Sequence, residues 1–204
     1  LKSPSVTTEN IDAKNDVEIE GNKITTKEIK TTNNITLNGN VIETSALNAA
    51  KNITIQGTTI KNAALIATEN IFINKDSEVL EQTLNITGDV SSNNFEAVAK
   101  TQTFGGTISV TNDFTSEGET FTFAGKVTVN QNAQIQNTGL LKISDFVYGK
   151  SFVQDGIGQV MISGSFEQSG ESEKPTAFGS NVYFYNSSQN SSPITIGRDK
   201  SSIT

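Results

Sequence analysis

Asn33-Asn34-Ile35-Thr36-Leu37-Asn38-Gly39 and Lys51-Asn52-Ile53-Thr54-Ile55-Gln56-Gly57 lie 18 residues apart in this chain. Related segments occur at the same spacing on either side, at residues 15–21 and 69–75. A unit of this length is too short to bury its own apolar side chains, so such units stack and share a core. The repeat therefore predicts a solenoid.

The repeat also holds column by column, because the same chemistry recurs at the same place in each unit. Four apolar columns are Val6, Ile24, Ile42 and Ile60; Ile11, Ile29, Leu47 and Leu65; Val17, Ile35, Ile53 and Ile71; and Ile19, Leu37, Ile55 and Ile73. A narrower column contains Ala13, Thr31, Ala49 and Ala67. Gly21, Gly39 and Gly57 recur where the coil must turn, which indicates either positive φ or close backbone approach.

Within each unit, apolar and polar residues alternate, as in Val17-Glu18-Ile19. This period of two is typical of strands with one buried face, and the frequent β-branched residues argue against helices. The fold class is therefore predicted to be all-β: a parallel, right-handed β-helix with coils of about 18–19 residues. Coils lie about 4.8 Å apart, so about ten to eleven of them would form a rod on the order of 50 Å long.

One polar column accompanies the apolar ones and contains Asp16, Asn34, Asn52 and Asn70. Stacked Asn side chains form amide-to-amide hydrogen bonds along the rod, so we interpret this column as a structural ladder. A carbohydrate or metal site is the functional alternative.

We predict a single β-helix domain over residues 1–204, with regular 18-residue coils over 6–75. Residues 76–103 are interpreted as loop-rich, because polar runs separate short strand-like pieces there. A second, slightly longer register of the 19-residue type follows over 103–204, where residues 103–110 align with 122–129, and 139–143 with 158–162. The two alignments are out of phase with each other, so either a coil is shortened or a different face is being matched.

Aromatic residues are concentrated in the second half, which predicts a looser and wider core there. Ten of the eleven Phe residues and all three Tyr residues follow position 91. We expect four of these side chains to fill the larger coils: Phe104, Phe123, Phe146 and Phe166. An exposed groove for sugar or protein is the alternative, and its best candidates are Tyr148, Tyr183 and Tyr185, whose hydroxyls suit a half-wet surface.

Composition excludes several kinds of chemistry. The chain has no His and no Cys, which excludes His- or Cys-type zinc sites, Ser-His-Asp and Cys-His catalysis, and disulfides. Its net charge is −7 without a basic cluster, so neither nucleic acid nor an anionic membrane is an expected partner. We expect no membrane insertion, no cofactor and no metal. A start at Leu1 suggests a fragment or a processed product.

A polysaccharide-acting enzyme is a further alternative, because β-helix enzymes exist, chiefly those that cleave acidic polysaccharides. Such enzymes need converging acids and a base such as Lys or Arg. The nearest clusters are Asp16, Glu18 and Glu20; Glu117 and Glu119; and Glu171, Glu173 and Lys174. Alternation places Glu18 and Glu20 on the outer face, and the other two clusters are interpreted as parts of Gly- and Ser-rich turns. We predict that the protein is not an enzyme and has no catalytic residues.

Residues 46–74 resemble the degenerate repeats of filamentous haemagglutinins, and residues 125–139 are similar to the same family. Those proteins are large exoproteins of Gram-negative two-partner secretion. The resemblance implies a secreted, surface-displayed adhesin shaft at the outer membrane, exported through an outer-membrane transporter. It implies a glycan or protein receptor on a host or bacterial cell. The ligand-binding residues are unknown at this stage.

Two further classes of solenoid are alternatives. A bactofilin-like cytoskeletal subunit also stacks coils of similar length and polymerises end to end. An ice-binding solenoid needs a flat outward Thr array; Thr8, Thr26 and Thr44 stack, as do Thr36 and Thr54, but Asn62 and Phe72 interrupt these columns.

Overall fold

The computed structural model describes residues 1–78, 81–170 and 176–184 in full, and the backbone of 194–198 and 202–203. None of these residues is helical. The chain forms a parallel β-solenoid of about nine turns, as the repeat predicts. The expectation of ten to eleven coils was therefore slightly too high, because the coils become longer after the fourth repeat.

The strands follow one another along the chain with short connections. They are β1 Ser5–Thr8, β2 Ile11–Ala13, β3 Val17–Glu20, β4 Lys23–Thr31, β5 Ile35–Asn38, β6 Val41–Ala49, β7 Ile53–Gln56, β8 Thr59–Ala67, β9 Asn70–Ile73, β10 Thr83–Ile86, β11 Val90–Ser92, β12 Asn94–Val98, β13 Thr101–Phe104, β14 Ile108–Val110, β15 Phe114–Gly118, β16 Thr120–Val129, β17 Asn132–Asn137, β18 Leu140–Tyr148, β19 Ser151–Asp155, β20 Gln159–Ile162, β21 Phe166–Gln168, β22 Ala177–Phe178, β23 Val182–Phe184, β24 Ile194–Arg198 and β25 Ser202–Ile203.

Two sheets enclose the core, and their strands are parallel except for the terminal pair β24 and β25, which is antiparallel. The smaller sheet has nine strands in the order β22-β19-β17-β15-β12-β9-β7-β5-β3. The larger sheet contains the long strands β4, β6, β8, β16 and β18, several of which pair with two shorter strands on one side. For example, β8 pairs with both β10 and β11. Each coil therefore contributes one segment to the smaller sheet and two segments to the larger sheet.

The register of the first coils is the one that the sequence repeat predicts. Ile35 pairs with Ile53, which in turn pairs with Ile71, and Ile24 pairs with Ile42. All five of these isoleucines have no exposed surface. Like side chains therefore meet along the axis, and one continuous cluster of buried residues runs from Val6 to Phe166.

Residues 76–103 are more ordered than the sequence suggested. The prediction of a loop-rich segment was wrong for most of this range, because strands β10 to β12 form a regular coil there. Asn70 pairs with Asn94, whereas Asn52 and Asn70 are only 18 positions apart, so this coil carries six extra residues. The insertion lies between β9 and β10. Because the insertion moves the later residues of this coil out of the 18-residue spacing, the sequence repeat does not reveal the coil.

The second half settles the question of the two out-of-phase alignments. Phe104 pairs with Phe123 and Leu141 pairs with Val160, as both alignments predict. Phe121 pairs with Leu141, so the coil between them is one residue longer, with an irregularity between Phe123 and Lys126. Neither predicted explanation holds: the coil that links the two pairs is lengthened by one residue, and both alignments lie on the larger sheet, where Phe104, Phe123, Ile143 and Ile162 form one column.

The core changes from aliphatic to aromatic along the axis, as predicted. The four Phe residues expected to fill the larger coils are buried. Phe104 stacks on Phe123 with ring centroids 5.2 Å apart, and Phe95 stacks on Phe114 at 5.0 Å. Offset stacking on successive coils stabilises the wider core beyond the area that it buries.

The glycine column is required by close backbone approach, which was one of the two predicted reasons. A Cβ atom on Gly39 would lie 2.3 Å from the carbonyl oxygen of Gly21, and one on Gly57 would lie 2.6 Å from that of Gly39. Any side chain there would force the stacked turns apart. Asn74 ends the column: its Oδ1 accepts from the Gly57 N–H at 2.8 Å and its Nδ2 donates to the Gly57 carbonyl at 3.0 Å.

The column of Thr8, Thr26 and Thr44 faces the interior, whereas Thr36 and Thr54 lie on outward positions of β5 and β7, where Phe72 ends their column. Thr8, Thr26, Thr44 and Asn62 are in register, and the last three are buried. This orientation is the opposite of what an ice-binding face needs. Within the described part of the chain, the hydroxyls of Thr8 and Thr26 have no hydrogen-bond partner.

Thr26→Val is expected to raise the free energy of unfolding by about 1 kcal/mol, because valine has the same shape and removes a buried, unpaired hydroxyl. Thr31→Val is the matched control, since the buried Thr31 hydroxyl donates to the Asn15 carbonyl and accepts from the Asn33 N–H at 3.2 Å. We expect the free energy of unfolding of this control, measured by urea denaturation, to fall by about 1–3 kcal/mol. If both variants are destabilised equally, the conclusion that the Thr26 hydroxyl is buried without a hydrogen-bond partner is contradicted.

Candidate functional site

The polar column predicted from the repeat is a hydrogen-bonded ladder on the smaller sheet. The Nδ2 group of Asn34 donates to Asp16 Oδ1 at 2.9 Å, and that of Asn52 donates to Asn34 Oδ1 at 3.0 Å. Asn70 donates to Asn52 Oδ1 at 2.7 Å. The backbone N–H of each later residue bonds to the same oxygen. The ladder therefore ties successive coils together through side chain and backbone at once.

The ladder continues through residues that the sequence analysis did not assign to it. These are Asn94, Asp113, Asn132 and Ser151. Every link runs from a donor in the later coil to Oδ1 in the earlier coil, so an aspartate can replace asparagine wherever only an acceptor is needed. Asp113 has no side-chain donor, and its link to Asn94 is made by its backbone N–H alone, at 3.3 Å.

Asn52→Ala is expected to lower the free energy of unfolding by about 2–3 kcal/mol, because it removes bonds to Asn34, Asn70 and Glu69 at once. Asp16→Asn is the matched control: it keeps the acceptor oxygen at the first position of the ladder and should change stability by less than about 0.5 kcal/mol. Chemical denaturation of the two variants measures the difference. A ladder that stabilises the stack is ruled out if both variants unfold like the parent chain.

The first acidic cluster lies where alternation predicts. Glu18 is exposed and Glu20 is half-buried, both on outward positions of β3. The Glu20 carboxylate lies 2.5 Å from the Lys2 ammonium, and their hydrogen bond raises the pKa of Lys2. Asp16 belongs to the ladder. These acids therefore serve pairing and stacking and do not converge.

The second acidic cluster was predicted to lie in a turn. This prediction was wrong for Glu117, which lies within strand β15. Glu119 follows this strand, and its carboxylate is 3.9 Å from the ammonium of Lys100. Glu81 binds the same ammonium at 2.8 Å, and this hydrogen bond raises the pKa of Lys100. The third cluster, Glu171, Glu173 and Lys174, lies outside the described residues.

Of the three tyrosines proposed for an exposed groove, the structure describes two, and one of these is exposed. Tyr183 is about half exposed, at 49%. Tyr148 is buried, so its assignment to a half-wet surface was wrong. Burial raises the pKa of its phenol, the hydroxyl bonds to Thr176, and the ring packs 5.4 Å from that of Phe166. Tyr185 lies outside the described residues.

A polar groove runs along the rod beside the glycine column, and sequence reasoning missed it. Its volume is about 730 Å³. Gly21, Gly39 and Gly57 form its floor. The side chains that line it are mostly amides and hydroxyls, and they include Asn22, Asn38, Asn40, Gln56, Thr58 and Ser77.

The glycines allow the turns beside the groove to stack closely, because a Cβ atom there would collide with the carbonyl of the preceding turn. Asn40 Nδ2 donates to Asn22 Oδ1 at 2.6 Å, so the amides of successive coils align along the groove. Residues before and after each glycine are the signal that was available in the sequence, since Asn22, Asn38, Asn40 and Gln56 all flank one. We call the groove that these residues line the polar groove.

Other kinds of site are not formed by the described residues. No three His, Cys, Asp or Glu side chains among them come together in a way that suits a metal ion. The described part of the chain also contains no helix that is long and apolar enough to cross a membrane.

No family model, curated protein or solved structure matches this chain. The resemblance to filamentous haemagglutinins therefore rests on the quoted repeats alone, whereas the parallel β-solenoid is observed directly.

Proposed function

We propose that this protein is a non-enzymatic structural and adhesion module: a rigid shaft that is exported to the bacterial cell surface and mediates attachment. The continuous stacked core carries this proposal. Each coil contacts its neighbours through parallel strand pairing, the Asn ladder and a shared core, so bending the rod would break all three at once. About nine coils at about 4.8 Å each make a rod about 43 Å long.

The surface chemistry supports a role in binding. The outer face carries amides, hydroxyls and paired charges, and the polar groove is lined mostly by neutral polar groups. Such a surface suits a glycan or protein receptor on another cell. Export through an outer-membrane transporter belongs to the same proposal and is supported by the resemblance of the repeats.

The proposal is tested by locating the protein and measuring attachment. Antibody labelling and protease shaving of intact bacteria should find the chain outside the cell, and the fluorescently labelled chain should bind target cells as a monomeric rod. A heat-unfolded sample provides the background. Cytoplasmic protein that assembles end to end into filaments would overturn the proposal in favour of a cytoskeletal subunit.

A further inference from the structure

We propose that the polar groove binds an uncharged polysaccharide chain that lies along the rod axis, across the coils. This inference rests on the proposed role in attachment and names the ligand class for it. The groove is built from three features that meet on one side of the first four coils: a recessed glycine floor, a repeating set of side-chain amides and an end wall.

The amides repeat with the coils. Asn22 and Asn40 hold equivalent positions in adjacent coils and are hydrogen-bonded to each other, which orients both side chains along the groove. Asn38 is exposed, and within the described part of the chain no residue bonds its side chain. Coils rise about 4.8 Å each, a distance comparable to the length of one pyranose ring. A sugar chain along the axis would therefore place one ring on each coil.

Amides suit sugars because each carries both a donor and an acceptor, as does a hydroxyl. An Asn or Gln side chain pairs with two neighbouring hydroxyls of a ring at once. The glycines that line the groove contribute backbone only, so no side chain of their own stands between a sugar ring and the main chain.

An extended peptide fits this surface less well. Peptides that bind sheets add to free backbone groups, but the floor already uses its own. The Gly21 N–H donates to the Asn38 carbonyl at 3.0 Å, and the Gly39 N–H donates to the Gln56 carbonyl at 2.9 Å. The described residues that line the groove also form no apolar pockets to hold peptide side chains.

The lining selects an uncharged chain. Lys2 and Glu20 are the charged residues that line the groove, and they neutralise each other as an ion pair. An acidic polysaccharide would therefore compete with Glu20 for Lys2, and its charges would meet a chain whose net charge is −7.

Described residues of the inserted segment form the end wall. Gln56 Nε2 donates to the Lys75 carbonyl at 3.1 Å, and the Ser77 hydroxyl donates to Gln56 Oε1 at 3.4 Å. Ser77 and Gln82 both line the groove at this end. The groove therefore stops at the fourth coil, and about four sugar rings fill it.

The test uses the full chain and a panel of neutral oligosaccharides of increasing length, from disaccharides upward, with heparin oligosaccharides and an unstructured peptide as comparisons. We expect at least one neutral series to bind, with affinity that rises up to about four rings and then levels off. The double variant Asn38→Ala/Asn40→Ala should weaken that binding at least about tenfold, because it removes two ring-facing amides. Asn48→Ala, on another face of the rod, should leave binding unchanged, and thermal melts confirm that each variant is folded.

The inference is overturned if no neutral series binds, if the double variant binds like the parent chain, or if the peptide competes for the groove. Cell attachment separates this failure from that of the proposed function. A double variant that loses oligosaccharide binding and cell attachment supports both proposals. If the parent chain attaches to cells but binds no oligosaccharide, the adhesive role stands and the groove proposal is rejected.

Discussion

Replacing Ile53 by aspartate is expected to abolish the cooperative fold. Ile53 is fully buried between Ile35 and Ile71 on adjoining coils, both of them apolar and equally buried. A carboxylate at this position would be desolvated without a partner, which costs more than about 4–5 kcal/mol and approaches the whole stability of a domain. Circular dichroism during heating should show no cooperative transition.

Thr54→Asp is the matched control for this experiment. Thr54 is the next residue of the same strand and points outward, half-exposed, between Thr36 and Phe72. The same charge placed there remains hydrated, so we expect the melting transition to persist with a change of less than about 1 kcal/mol. A cooperative melt of the Ile53→Asp variant at the parent temperature would contradict the stacked core.

Phe123→Ala is expected to lower the free energy of unfolding by about 3–5 kcal/mol. Phe123 is buried and touches four other rings: it stacks on Phe104 at 5.2 Å and meets Phe114 edge-on at 5.9 Å. It also packs against Phe121 and Phe146. Removing its ring leaves a cavity that these neighbours cannot fill without leaving their own stacks.

The damage should be local along the rod. In a solenoid each coil contacts only its neighbours, so the aliphatic coils keep their own contacts when an aromatic coil is weakened. Hydrogen exchange should therefore accelerate over residues 101–148 and change little over 23–49. Phe72→Ala is the control, because Phe72 lies outside the core with the Lys75 ammonium 4.4 Å from its ring centroid. We expect Phe72→Ala to lower the free energy of unfolding by less than about 1 kcal/mol. Hydrogen exchange that accelerates equally across the whole chain of the Phe123→Ala variant would contradict a local effect.

Repetition made the first four coils predictable. The columns headed by Val6, Ile11, Val17 and Ile19 form as expected, because a strand with one apolar face has only one register that buries every apolar side chain. The ladder from Asp16 to Asn70 follows from the same register.

The coil between Asn70 and Asn94 was not predictable in the same way. Its six extra residues break the spacing, although β10 and β11 keep the alternation of buried and outward residues. The ladder residues Asn94 and Asp113 were missed for that reason. Tyr148 was misplaced because a tyrosine with a buried hydrogen-bond partner, here Thr176, has the same sequence signature as one at a wet surface.

The order of residues alone therefore established the parallel β-solenoid, its buried columns and the polar ladder, because these depend on a local period of two and a longer repeat that hold within the chain itself. The lining of the polar groove repeats with the glycines, but its concave surface exists only once the coils are stacked. The end wall and the burial of Tyr148 are set by contacts between coils of unequal length, which no repeat encodes.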